Sequence, residues 1–292
     1  MLQVLANGIV QGAVLALIAI SLTIIFSILR VPHFGLGGIF AWGAFVAFFV
    51  QQWGASFWVA LAAATVSMAI LGVLVDWIAF RRLRGATEDA MFVSAIGVLI
   101  VMENSALLLF GGETRSIEAP ARLQFVVSFA GVYVPAMRVF IFVLTVLAFA
   151  ALVLFVKTTR MGKAMRAVAQ DRVAARLLGV PIDRIASWTF AIASGLAGLA
   201  GALVGTAFTF NFEAGSGAIL KAFVVVVLGG LGSVAGAIAG GFVLGVVDSL
   251  TLTYVTSQFK QLVSFGVLIL VLVLRPSGLF GQRAQRADVS AS

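Results

Sequence analysis

The 292-residue chain is 62% hydrophobic and only 10% charged, a balance that a water-exposed surface of this size cannot carry, so a soluble globular domain is excluded and a polytopic membrane protein is expected. Its formal charge of +8 fits basic residues retained in cytoplasmic loops better than nucleic-acid binding, because no soluble basic domain is present to hold a nucleic acid. With no cysteine and a single histidine, the chain offers no disulfide framework, no thiolate metal site and no histidine-built metal centre.

Met1 to Gly12 lacks a basic n-region and runs straight into apolar sequence, so it reads as the lead-in to a first helix rather than a cleaved leader. Nine apolar segments follow in chain order: Leu5–Leu29, Gly37–Val50, Phe57–Phe80, Met91–Phe110, Ala136–Val156, Ile185–Phe210, Ile219–Leu228, Val234–Leu250 and Leu262–Leu274. A helix rises ~1.5 Å per residue, so ~20 residues cross a ~30 Å hydrocarbon core, and the second and seventh segments are too short to cross alone. Glycine clusters flank both, "HFGLGG" and "GGLGS". Broken hydrophobic stretches point to the binding region of a transporter, which makes His33, Phe34 and Gly37 at one break, and Gly229, Gly230 and Gly232 at the other, candidates for a substrate path. The expectation is a single all-α transmembrane domain over 1–292, with about 8–10 transmembrane or half-spanning helices.

Basic residues orient it. Arg81, Arg82 and Arg84 mark one cytoplasmic loop, Lys157–Arg184 a second, and Arg275, Arg283 and Arg286 place the C-terminal end inside, while Gly111–Pro135, with its mixed charges, falls outside. Nine full crossings put the start of the chain outside; a re-entrant second segment reverses that end. Four ionisable residues lie within apolar segments, where each costs a few kcal/mol unless it faces a partner or water. Asp76, about one turn before Arg81, reads as structural. Glu103, beside Asn104, and Lys221 either meet the ammonium and carboxylate of a zwitterionic ligand or pair with each other. Asp248 receives no role. Glycine pairs at Gly8/Gly12, Gly201/Gly205, Gly232/Gly236/Gly240 and Gly241/Gly245 read as close helix-packing faces.

The polar interruption "KTTRMGKAMRAVAQDRVAARLLGVPIDR" breaks this pattern. "RMGKAMRAVAQ" forms an amphipathic helix with Met161, Ala164, Met165 and Val168 on one side. Asp171 caps a second helix that ends at Gly179 in a left-handed position, and Pro181 prevents its continuation. Charge alone suits a positive-inside anchor on anionic lipid. The small residues Ala164, Ala167, Ala174 and Ala175 suit a helix that fits a groove on another protein.

This loop is similar to the cytoplasmic loop of the membrane subunits of branched-chain amino acid ABC importers, the LivH type of permease. The resemblance extends to "GIVQGAVLALIAISLT", "VSAIGVLIVMEN", "LKAFVVVVLGGLGSVAGAIAGG" and the closing "RPSGLFG", nearly the whole chain. It implies that Arg160, Gly162, Lys163, Arg166, Asp171, Ala175 and Gly179 couple the permease to an ATPase. The implied partners are a second permease chain, two cytoplasmic ABC ATPase subunits carrying the ATP and Mg, and a periplasmic binding protein, at a bacterial inner membrane. "RMGKA" lacks the upstream glycine and following Ser/Thr of a phosphate-cradling loop, so the chain itself is expected to be no enzyme and to hold no cofactor. Where relatives carry an Asn-Phe-Ala-His-Gly run, this chain has "HFGLG". The bulk of the resemblance implies branched-chain amino acids as substrates, and this departure, with His33 in the Asn place and Leu36 in the His place, leaves urea, short amides or other amino acids as the alternative; an ion-coupled carrier using Glu103 and Lys221 is the runner-up mechanism.

Overall fold

In hydrocarbon the backbone must satisfy its own hydrogen bonds, and the chain does so almost entirely with helices. The computed structural model describes residues 1–129, 132–255, 259–275 and 278–279; Arg283, Arg286 and part of the closing "RPSGLFG" lie outside the described residues. The helices are α1 Leu2–Leu29, α2 Gly35–Gln52, α3 Phe57–Val75, α4 Glu88–Phe110, α5 Ala136–Thr158, α6 Arg160–Gln170, α7 Arg172–Leu177, α8 Ile182–Ala207, α9 Ala214–Gly229, α10 Val234–Tyr254 and α11 Lys260–Leu274. A π-helical turn, Asp76–Phe80, and a 3-10 turn, Arg81–Leu83, extend α3. A small antiparallel hairpin, β1 Val126–Phe129 with β2 Val132–Pro135, pairs Val127 with Val134 and Ser128 with Tyr133.

Seven of the described helices are long and apolar enough to cross a membrane, with α9 and α11 shorter. Contacts at the two ends fix the threading. The Gln3 side chain exchanges hydrogen bonds with the backbone of Tyr133, 2.7 and 2.8 Å, which places the start of α1 beside the hairpin. Gln51, in the last turn of α2, does the same with the backbone of Glu118, 2.9 and 3.0 Å. Helix α2 therefore runs to the hairpin end and is not re-entrant. At the opposite end, Arg84 bonds Asp183 at the start of α8. Because that end carries the basic loops, it is cytoplasmic, and the chain enters α1 from the outside.

Helix α9 is short for a different reason. Its 16 residues span only about 24 Å, because the link from Phe208 to Glu213 descends into the protein before the helix starts. Glu103 on α4 accepts the Ser216 backbone N–H at 2.9 Å, so a carboxylate satisfies an otherwise orphaned donor in the first turn of α9.

Helices α1, α2 and α8 form the enclosed centre, whereas α4 and α5 keep most of their apolar surface outward, where lipid covers it. Most of the glycine pairs act as packing faces; Gly232 instead lies in the turn between α9 and α10. Gly8 and Gly12 of α1 lie against Gly245, Val246 and Phe242 of α10, and Gly43 of α2 against Gly198 of α8. At Gly201 the approach is closest: a Cβ there would stand 1.9 Å from the carbonyl oxygen of Phe40, so glycine is required for α2 and α8 to touch.

Candidate functional site

Behind the descending link a cavity of about 200 Å³ opens between α1, α8, α9 and α10 in the outer half of the bundle. Its apolar wall includes Phe40, Phe208 and Phe210, and its polar lining residues are Gln11, Thr209, Lys221 and Asp248. Lys221 Nζ donates to Asp248 Oδ2 at 2.7 Å, and the hydroxyl of Ser264 donates to Asp248 Oδ1 at 2.9 Å. The Lys221 side chain is 19% exposed and that of Asp248 2%. Gln11 Oε1 is buried and has no hydrogen-bond partner among the described residues.

Lys221 is the one sequence-predicted path residue that lines this cavity. The Glu103–Lys221 pair considered above does not form: Glu103 is bound to the first turn of α9, and the partner of Lys221 is Asp248. Asn104 points its amide back to the carbonyl of Ile100, 2.8 Å. His33 is buried with its ring 4.6 Å from that of Phe80 and 5.1 Å from that of Phe190, centroid to centroid. Burial pushes its imidazole down to about 3, so it is uncharged. Phe34 packs edge-on to Phe92 and against Phe223, and Gly37 lies against Gly215. Gly229 packs on Gly236, while Gly230 and Gly232 have φ of 101° and 85° and turn the chain from α9 into α10. Both glycine breaks thus sit in helix contacts and a tight turn, not on the cavity wall.

Sequence reasoning passed over Gln11 and left Asp248 without a role. Their signal was available: each is a polar residue inside an apolar helix, and such groups need a partner or a cavity.

At the cytoplasmic end α6 and α7 form the expected pair of short helices. Thr159 caps α6 through the Gly162 N–H, 3.0 Å, and Asp171 caps α7 through the N–H groups of Val173 and Ala174, 2.8 and 2.9 Å. Gly179 has φ of 79°, the left-handed residue after the helix. Met165 and Val168 are buried, and Lys163 and Arg160 are exposed. Arg166 donates to the Val156 carbonyl at the end of α5. Two residues expected at a docking surface face the permease instead. Ala175 is 2% exposed, and Gly162 allows α6 to turn tightly against Phe155 and Val156. What α7 presents outward is Val173, Leu177 and Leu178, at 70%, 83% and 83% exposure. Arg172 and Arg176 flank them; partial burial, then repulsion from Arg84 and Arg176, lowers the Arg172 pKa from its usual value.

Beneath this pair lies a buried ionic knot. Asp76 is 0% exposed; both its carboxylate oxygens accept from Arg84, and Oδ2 also accepts from the Ser187 hydroxyl at 2.6 Å. Arg84 reaches on to Asp183 at 2.5 Å. Asp76 is thus held by Arg84 and by Ser187 of α8, not by Arg81.

A glycine-packed helical bundle, a cavity with a charged pair at membrane depth, and an exposed apolar knob on the cytoplasmic side together define a membrane permease subunit. The chain belongs to the family described as branched-chain amino acid transport system / permease component, whose model matches residues 4–272. It is 34% identical to the high-affinity branched-chain amino acid transport system permease protein LivH of Escherichia coli, over 96% of each chain. It is 35% identical to the permease protein BraD of Pseudomonas aeruginosa, again over 96% of each. The permease protein LivM of Salmonella typhimurium is 30% identical over 84% of this chain and 62% of its own length.

Proposed function

We propose that the chain forms part of the translocation path of an ATP-driven importer for branched-chain amino acids in a bacterial inner membrane. In this reading it works with a second permease chain, with two cytoplasmic ATPase subunits that hold ATP and Mg, and with a periplasmic binding protein. Family membership and the transport systems named for the relatives support the substrate class. Similarity to both LivH and LivM, two permeases named for one type of system, supports a paired permease.

The observation that carries the ATP-driven mechanism is the outward face of α7. Three large apolar side chains left in water, on a short helix capped at both ends, fit a groove on another protein better than a lipid surface, because the helix bearing them is small and rigidly tied to the bundle. An ion-coupled carrier has no use for such a knob. The amide alternative rested on the unusual "HFGLG" stretch, and His33 is sealed between aromatic rings away from the cavity, which favours the amino acid reading.

Ala175 is buried, so a docking partner would meet its exposed neighbours Leu177 and Leu178. With Leu177→Trp and Leu178→Trp together, the permease is expected to remain in the membrane but to lose co-purifying ATPase and at least about tenfold of leucine-stimulated ATP hydrolysis in reconstituted vesicles. A lipid anchor predicts the opposite, since tryptophan is favoured at the membrane interface. Wild-type coupling in this variant rules out docking through α7.

A further inference from the structure

We infer that the cavity holding Lys221, Asp248 and Gln11 is a binding site for the zwitterionic head of an aliphatic α-amino acid, with Lys221 taking the carboxylate and Asp248 and Gln11 taking the ammonium. The inference rests on the transport reading above and adds the site to it.

Size comes first. A cavity of about 200 Å³ corresponds to about seven waters at ~30 Å³ each, room for a small solute and below the ~300 Å³ at which drug-sized sites begin. Charge comes second. Two opposite charges at membrane depth are costly to retain, and here the pair that joins α9 to α10 also lines a cavity. A zwitterion can exchange partners with them: each charge that gives up its neighbour receives an opposite charge from the ligand, so nothing is left uncompensated. Free carboxylic acids and amines lack one of the two charges and strand Lys221 or Asp248, while urea and amides offer no charge at all. The site is thereby selective by what it penalises.

The third observation is Gln11. Its Oε1 is buried without a partner among the described residues, and an orphaned acceptor of this kind costs about 1–3 kcal/mol. It shares the cavity with Asp248. An ammonium has three donors, so one placed between the two oxygens satisfies both. The apolar wall of Phe40, Phe208 and Phe210 then receives the aliphatic side chain.

The chain has no cysteine, so Ala218→Cys, on the same wall, gives a single reporter thiol in the full chain in membrane vesicles. Its labelling by a small thiol reagent should slow in the presence of leucine, and not with 4-methylpentanoate, 3-methylbutylamine or urea. Adding Lys221→Met with Asp248→Leu replaces the pair by apolar groups, a change that commonly leaves folding intact. Leucine protection should then weaken by at least about tenfold, the scale of one lost charged hydrogen bond. Gln11→Leu keeps the pair and should weaken protection severalfold, which serves if the double variant fails to accumulate. Undiminished protection in these variants, or equal protection by a singly charged analogue, overturns the assignment. Leucine uptake by the assembled wild-type system is measured beside it: uptake without protection defeats the site alone, whereas absence of uptake defeats the transport reading.

Discussion

Gly201→Ala, a single added methyl group, should lower the thermal stability of the purified protein more than most substitutions in the bundle, and Gly201→Leu should prevent its accumulation. The added Cβ meets backbone, the Phe40 carbonyl oxygen at 1.9 Å, so no side chain can rotate out of the way and the two helices must part. Overpacking costs ~1–3 kcal/mol when side chains can adjust and more when they cannot. Gly97 on α4 provides the control, because a Cβ there meets nothing within 4 Å. There alanine should be neutral or stabilising, up to the ~1 kcal/mol by which it exceeds glycine as a helix former. Equal melting shifts at the two sites would show that helix propensity, not the α2–α8 contact, governs the effect.

Asp76→Ala should be about as damaging, by a different route. It strips Arg84 of its buried partner and leaves the Ser187 hydroxyl with only the Asp183 carbonyl, at 3.1 Å, as acceptor. Removing one member of a buried pair typically costs about 3–5 kcal/mol when an uncompensated charge stays behind; Arg84 keeps the exposed carboxylate of Asp183, so the loss should fall toward the low end of that range. Restoring neutrality with Arg84→Met in the same chain should therefore recover much of the lost stability, a non-additive result that a double-mutant cycle on melting temperature reads directly. Strict additivity of the two losses would show that the knot contributes only independent contacts.

The sequence made the fold legible wherever local chemistry decides it. Apolar runs located every crossing, and Asp171, Gly179 and Pro181 located α7, because caps and breaks act on their own few residues. The small-residue pairs marked faces that pack closely, such as Gly8/Gly12 and Gly241/Gly245, though not which face meets which; the structure sets Gly8 and Gly12 against Gly245. The site was less legible because it is assembled from helices far apart in the chain. Lys221 was visible as a buried charge, but its partner could be chosen only by knowing how α9 and α10 lie together. Reading "GGLGS" as a simple turn would have done it: Gly229 then faces Gly236, Val225 faces Gly240, and Lys221 falls within one turn of Asp248. Taking the glycine break as unwound lining drew attention to the turn instead of to what it aligns. His33 misled for a similar reason, since a polar residue at a break looks the same in sequence whether it opens on a channel or is closed in by Phe80 and Phe190.

Helix α8 begins three residues beyond Gly179, at the foot of the α6–α7 pair, and ends one residue before Phe208 on the cavity wall. Its 26 residues, about 39 Å, run without interruption. Its tightest crossing with α2 and α3 lies at Gly198 and Gly201, well toward the outer end. Mechanically this is a lever with an off-centre fulcrum. Gly198 stands sixteen positions from Ile182 and nine from Ala207, so a rigid tilt moves the outer tip about half as far as the inner one, and in the opposite direction. A displacement of the cytoplasmic end thus returns as a smaller, reversed displacement of Phe208, with no intervening joint to absorb it.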